Sequence, residues 1–185
     1  MAEMNLEDDI KEVLISEAEL KNRIGELGSE ITEYYDHREK VIMVGILRGA
    51  VIFMADLARH IKRHVIFDFM DVSSYGQNTE SSGMVRIIKD LEENIEGRHV
   101  LLVEDIIDTG KTLKHVIEML KTRAPRSIRV TTLLDKPERR IEKQIDVEFN
   151  GFEVPDKFVV GYGLDYAEKY RNLPFIGVLK KRKYS

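Results

Sequence analysis

"HVLLVEDIIDTGKTL", His99 to Leu113, is the stretch on which the fold turns. Val100-Leu101-Leu102-Val103 leads into Glu104-Asp105, then two isoleucines, then Asp108-Thr109-Gly110-Lys111-Thr112. Gly-Lys-Thr invites comparison with a nucleoside-triphosphate loop. The G-x-x-x-x-G-K-S/T pattern, however, puts its first glycine where this chain has Asp105, a carboxylate that repels a triphosphate. What remains is a strand ending in paired carboxylates, a tight turn, and a helix that starts near Gly110 with free amides pointing outward. Open parallel sheets bind ligands at the carboxyl ends of their strands. Helix-start amides with the hydroxyls of Thr109 and Thr112 suit a single phosphate. Carboxylates one strand-step earlier suit sugar hydroxyls or a divalent cation held through oxygen. The stretch therefore reads as a site for a phosphorylated sugar. One acid there would be only a favourable charge on the helix dipole. Glu104, Asp105 and Asp108 together, directly after a buried strand, point to a ligand.

The flanking sequence repeats the same alternation. "SEAELKNRIGELGSEITEYY" opens with Ser16 and Glu19 in capping-box spacing. Leu20, Ile24, Leu27 and Ile31 then recur at helical intervals. "VIMVGIL" (Val41 to Leu47) is a short apolar run rich in β-branched residues, as expected for a strand buried on both faces. "RGAVIFMADLARHI" reads as a helix, "VIFDFMDV" as a strand and "SSYGQNTESSG" as a long polar loop. "MVRIIKD" is a short strand able to pair back across that loop. "GKTLKHVIEMLKTR" places Leu113, Val116, Ile117 and Leu120 on one helical face, and "SIRVTTLL", "KFVVGYG" and "FIGVL" supply further strands. Strand and helix alternate through the middle, which predicts an α/β fold with a mostly parallel sheet and right-handed crossovers.

Bulk properties narrow the classes. At 185 residues one domain is the default. A net charge of -4 argues against a broad nucleic-acid surface. The basic end "KKRKYS" reads as a solvated tail. Cysteine is absent, so disulfides and thiolate metal sites are excluded. The acidic start lacks the order of a secretory signal, and no apolar run reaches the roughly 18 residues of a membrane span. The expectation is a soluble cytoplasmic protein with no membrane and no nucleic-acid partner.

"VLLVEDIIDTGKT" resembles the phosphoribosyl pyrophosphate signature of type I phosphoribosyltransferases, and is most similar to the hypoxanthine-guanine enzymes of that family. "ILRGA" resembles the family's early pyrophosphate loop, "SSYG" its mobile lid, and "LLDKPERR" the segment carrying the base-reading lysine. "GFEVPDKFVVGYGLDYAEKYRNLPFIGVL" resembles the purine-binding hood and closing strand. These segments fall in the family's order over roughly residues 10 to 180, far more specific than one motif. The resemblance implies a single domain over 1–185, with a sheet core of about 36–150 and a small hood from about 1–20 and 150–185. It implies transfer of the 5-phosphoribosyl group from phosphoribosyl pyrophosphate to N9 of hypoxanthine or guanine, giving IMP or GMP and pyrophosphate, with Mg2+ as cofactor.

Carried over residue by residue, Asp108 matches the acid beside purine N7 that takes up the N9 proton. Asp108, Thr109, Gly110, Lys111 and Thr112 match the 5'-phosphate loop. Glu104 and Asp105 match acids that face the ribose hydroxyls and a magnesium ion, and Asp165 an acid near the base edge and a second ion. Arg48 and Gly49 match the early loop, which in the family often reads lysine-glycine-glycine and often holds a non-trans peptide. Arg171 matches the second pyrophosphate-binding cation. Lys136 matches the base reader, Phe158 the stacking face, Val159 the backbone that reads the purine edge, and Ser74 and Tyr75 the lid. Taken alone, Phe158-Val159-Val160 is an ordinary buried strand. The family also implies a homodimer or homotetramer. Two rivals are an RNA-binding regulator on the same fold, which should show a basic, aromatic face, and an enzyme for another base such as xanthine.

Overall fold

A computed structural model describes residues 6–74 and 85–184, with no side-chain detail at Ser74 and Val85. The chain runs β1 (Ile10–Ile15), α1 (Glu17–Tyr34), β2 (Val41–Leu47), α2 (Ala50–His60), β3 (Val65–Ser74) and β4 (Val85–Lys89). It continues through β5 (His99–Ile107), α3 (Lys111–Lys121), β6 (Ser127–Asp135), β7 (Phe149–Glu153), β8 (Val159–Val160) and β9 (Ile176–Leu179).

The central sheet is ordered β4-β3-β2-β5-β6-β7. All neighbours are parallel except β3 and β4, which pair antiparallel as a ribbon at one edge. Strand alternation divides the core between the two faces of the sheet. Met43, Leu101 and Val103 face α1 and α2, packing with Leu20, Ile24, Leu27, Ile31, Phe53 and Leu57. Ile42, Val44, Val100 and Leu102 face α3, packing with Leu113, Val116 and Leu120. Ile117 on α3 is only partly buried. The capping box forms: the Ser16 amide donates to Glu19 Oε2 (2.8 Å), and the Glu19 amide donates back to Ser16 Oγ (3.3 Å).

A second sheet, ordered β1-β9-β8, joins the two ends of the described chain through antiparallel pairs. The sequence signals for two strands are weak. In β1, "IKEVLI", the middle residues are exposed and the pairing partner lies at the other end of the chain. In β7, "FNGFE", Asn and Gly dilute strand propensity. The strand expected from "KFVVGYG" shrinks to Val159–Val160, because Gly161, Tyr162 and Gly163 turn with positive φ.

The basic end is not the solvated tail its composition suggests. Lys183 pairs with Asp9 at 2.9 Å, Lys180 donates to the Asp8 carbonyl (2.6 Å), and the Tyr184 ring stacks on Phe158 with centroids 4.6 Å apart. Among the described residues no helix is long and apolar enough to cross a membrane.

Candidate active site

Arg48, Glu104, Asp105, Asp108 and Lys136 lie at or just beyond the carboxyl ends of β2, β5 and β6. Glu104 and Asp105 lie near the carboxyl end of β5, the chain turns through Asp108 and Thr109, and Gly110 caps the start of α3 in a left-handed conformation (φ 80°). The Thr109 carbonyl accepts from the amides of Ile141 (3.0 Å) and Glu142 (3.1 Å), so the segment after β6 braces the turn. Thr109 Oγ1 accepts from the Lys111 amide at 3.4 Å. This leaves a helix start with outward amides, the arrangement for a single phosphate.

On one side of that turn lies a cluster of charge. A Cβ at Gly49 would overlap the Asp105 carboxylate, and one at Gly163 would overlap the Gly49 carbonyl. The early loop, the end of β5 and the 161–165 turn are therefore in contact, and only glycine allows both approaches. The Leu47–Arg48 peptide is cis. Arg171 donates to the Gly163 carbonyl (2.8 Å) and pairs with Asp165 (2.9 Å). Glu168, which has no distinguishing sequence signal, holds both candidate cations: Arg48 at 2.9 Å and Arg171 at 3.5 Å. Asp165 also accepts from the Glu168 amide at 2.9 Å.

The β5 acids are strained electrostatically. Burial, reinforced by the neighbouring Asp105 charge, pushes the Glu104 carboxyl well above the usual carboxylate range. Burial likewise raises Asp105 to about 6, against the opposing pull of its backbone hydrogen bond from Ile106 (2.8 Å) and of Arg171. A carboxyl whose folded value is raised binds more protons in the native than in the unfolded state. Stability is therefore lost as pH rises through the window between the unfolded value, about 4, and the folded one. In the ligand-free protein, Asp105→Asn is expected to gain melting temperature over wild type by more at about pH 7 than at about pH 4.5. An equal gap at both pH values in thermal unfolding would show that the site does not carry this burden.

On the other side lies the predicted base reader, joined to the turn through its backbone. The Lys136 amide donates to the Ile107 carbonyl at 2.9 Å. Lys136 is buried, at 7% exposure, where an unpartnered turn lysine would be solvated. Its Nζ donates to the Lys157 carbonyl (2.7 Å) and lies 3.5 Å from Asp156. A bidentate pair between Arg140 and Asp135 (2.9 and 2.8 Å) fixes the end of β6 just before it. Val159 is buried and pairs with Val178. Phe158 departs from the ordinary-strand reading: it is 38% exposed, stacked on Tyr184 and edge-on to Tyr166.

Arg139 links the two sides, and the sequence gives no local sign of it. Its Nε lies 2.5 Å from Asp108 Oδ1, and its Nη1 reaches Asp156 at 3.3 Å. A chain of charges thus runs Asp108–Arg139–Asp156–Lys136. Of the predicted lid, Ser74 ends β3 in register with Val85, while Tyr75 lies outside the described residues. A hollow of about 580 Å³ lies elsewhere, between α3 and the start of β6, and none of the predicted site residues lines it.

Known proteins are similar to this chain over nearly its whole length. The phosphoribosyl transferase domain family matches residues 11–167. The hypoxanthine-guanine phosphoribosyltransferase of Bacillus subtilis (strain 168) is 54% identical over 97% of this chain and 98% of its own length. A hypoxanthine phosphoribosyltransferase crystal structure from Staphylococcus aureus superposes with a TM-score of 0.93 at 50% identity, covering 99% of this chain and 100% of that one. The bifunctional TilS/HprT protein of Listeria monocytogenes serotype 4b (strain F2365) is 52% identical over 98% of this chain, which spans only 28% of that longer protein. The chain belongs to the phosphoribosyltransferase family and, within it, to the hypoxanthine-guanine phosphoribosyltransferases.

Proposed function

We propose that this chain is a purine salvage enzyme that moves the 5-phosphoribosyl group of phosphoribosyl pyrophosphate onto N9 of hypoxanthine or guanine. The observation that carries the reading is the placement of a phosphate-type helix start between two unlike subsites. One is a cluster of arginines and acids, and the other holds a buried lysine beside an exposed aromatic face.

The outward amides and hydroxyls of Thr109 to Thr112 take the 5'-phosphate, and Glu104 and Asp105 face the ribose hydroxyls. Arg48, the Gly49 backbone and Arg171 take the pyrophosphate, which displaces Glu168 from the two cations it now holds. Lys136 has three donors and no acceptor. One is directed at the Lys157 carbonyl and the ammonium lies 3.5 Å from Asp156, which leaves a donor for an accepting purine oxygen. Phe158 stacks on the purine, Val159 reads its edge, and Asp165 lies near that edge. As N9 attacks the ribose carbon and pyrophosphate leaves, Asp108 accepts the proton that the purine releases. The whole chain acts as one unit, core and hood together, in a cytoplasmic homodimer or homotetramer.

The donor set fits a magnesium ion. Asp105 and Glu104 are carboxylates raised by burial, so a cation there relieves them. Among the described residues no three such side chains converge as a ready-made metal cage. Magnesium suits that situation, because it is commonly held by one or two carboxylates plus substrate oxygens and water. Glu104 and Asp105 are the residues that would hold it, Asp165 would face a second ion, and the positive charge would offset that of the leaving pyrophosphate. Asp165 is now paired to Arg171, a pair that would have to open for Asp165 to reach an ion. Calorimetric binding of phosphoribosyl pyrophosphate is expected to weaken by about tenfold or more when chelator replaces magnesium, a coupling within the usual range. Equal affinity with and without the ion would remove it from the site.

The reaction is tested by following ultraviolet absorbance with each purine, phosphoribosyl pyrophosphate and magnesium. Turnover of hypoxanthine or guanine is expected. Tight RNA binding without turnover would favour a regulator instead.

A further inference from the structure

Tyr162 and Asp56 lie outside every predicted subsite, yet they join the two elements that build the pyrophosphate side. α2 begins at Ala50, immediately after Arg48 and Gly49, and carries Asp56 one and a half turns on. Tyr162 sits between Gly161 (φ 103°) and Gly163 (φ 104°), and itself has a φ of 48°. A tyrosine rarely adopts the left-handed region, so its neighbours must hold it there. They do so at both ends. The phenol is buried, at 8% exposure, and donates to Asp56 Oδ2, while Asp56 Oδ1 pairs with Arg59. On the backbone side, Tyr162 N donates to the Leu173 carbonyl (2.9 Å) and Gly163 N to the Arg171 carbonyl (2.9 Å). Gly163 is also the residue packed against the Gly49 carbonyl and the acceptor for the Arg171 guanidinium.

From this connectivity we infer that the Tyr162–Asp56 hydrogen bond is a positioning device for the pyrophosphate subsite. It clamps the segment that carries Asp165 and Arg171 to the helix that directly follows Arg48 and Gly49, and so sets the spacing between the two cations. Tyr162 does not touch the reacting atoms; it acts through Gly163 and Arg171. Burial first, and the Asp56 carboxylate second, push the phenol well above the usual tyrosine range, so it remains a donor throughout the working pH. The proposal rests on the reading of Arg48, Gly49 and Arg171 as the pyrophosphate subsite.

The test is Tyr162→Phe, which removes the donor and keeps the ring. Asp56 lines a cavity of about 230 Å³ beside Tyr162, so water can solvate the released carboxylate, and the variant is expected to fold. A thermal melt checks this. The KM for phosphoribosyl pyrophosphate is expected to rise about tenfold, in line with loss of a hydrogen bond to a charged group. The purine KM and kcat should stay within about twofold. The affinity for magnesium pyrophosphate, measured directly by calorimetry, should fall by a similar factor. Asp56→Ala should reproduce the effect, Asp56→Asn should largely rescue it by keeping the acceptor, and the Tyr162→Phe/Asp56→Ala pair should be no worse than either alone. Arg59→Ala, which removes only the ion pair, should leave the kinetics unchanged. A folded Tyr162→Phe enzyme with unchanged pyrophosphate affinity overturns the clamp. So does one in which purine KM, phosphoribosyl pyrophosphate KM and kcat all shift together, since that is general destabilisation. A wild-type protein that does not bind magnesium pyrophosphate at all overturns the subsite reading beneath it.

Discussion

Adenine is expected to be turned over about 10⁴–10⁵-fold less efficiently than hypoxanthine, the discrimination reached by a site built around a polar contact. The cause is Lys136. It is buried, and its ammonium donates to the Lys157 carbonyl and lies 3.5 Å from Asp156, with a further proton left to donate to the base. Hypoxanthine and guanine present an oxygen at position 6, which makes a charge-assisted bond with that proton. Adenine presents an amino group, so two donors would face each other in a desolvated site. Lys136→Ala should lower kcat/KM for both 6-oxopurines while leaving phosphoribosyl pyrophosphate binding nearly intact, because the phosphate loop is braced separately by Ile141 and Glu142. Comparable rates with adenine and hypoxanthine, or unchanged purine kinetics in the Lys136→Ala enzyme, would contradict this assignment.

The second large effect belongs to Asp108. Asparagine keeps its size and one hydrogen bond but cannot take a proton, so Asp108→Asn is expected to lower kcat by about 10²–10⁴ with little change in either KM. The ion pair with Arg139 makes the KM measurement decisive. Were Asp108 only an anchor for the loop, losing that pair would loosen the phosphate site and raise the KM for phosphoribosyl pyrophosphate. Near-normal kcat in the variant would show that the acid only positions the loop.

The elements with local signals were the ones legible in the sequence. The β-branched runs of β2 and β5 need burial on both faces, and the α/β sheet follows from them. Ser16 and Glu19 define a helix start within four consecutive residues, and the structure forms that capping box. The segment from His99 to Thr112 joins a buried strand, acids and a helix start without a break, so the strand, turn and helix of the candidate site were legible there. What escaped depends on residues far apart in the chain. β1 is a strand only because β9 pairs with it, and its exposed Lys11, Glu12 and Val13 hide the pattern. Phe158 belongs to an apolar run but is drawn out of the core by Tyr184, whose tail looked merely basic. Arg139 reaches Asp108, and Glu168 reaches Arg48, across separations that no spacing rule encodes.

The most direct measurement is a stoichiometry. Purified protein, hypoxanthine, phosphoribosyl pyrophosphate and magnesium are mixed, and base, nucleotide and pyrophosphate are quantified in the same reaction. The predicted result is one N9-linked nucleoside monophosphate and one pyrophosphate for each base consumed. Untouched base, or pyrophosphate released without nucleotide, would contradict transfer of the phosphoribosyl group to the purine.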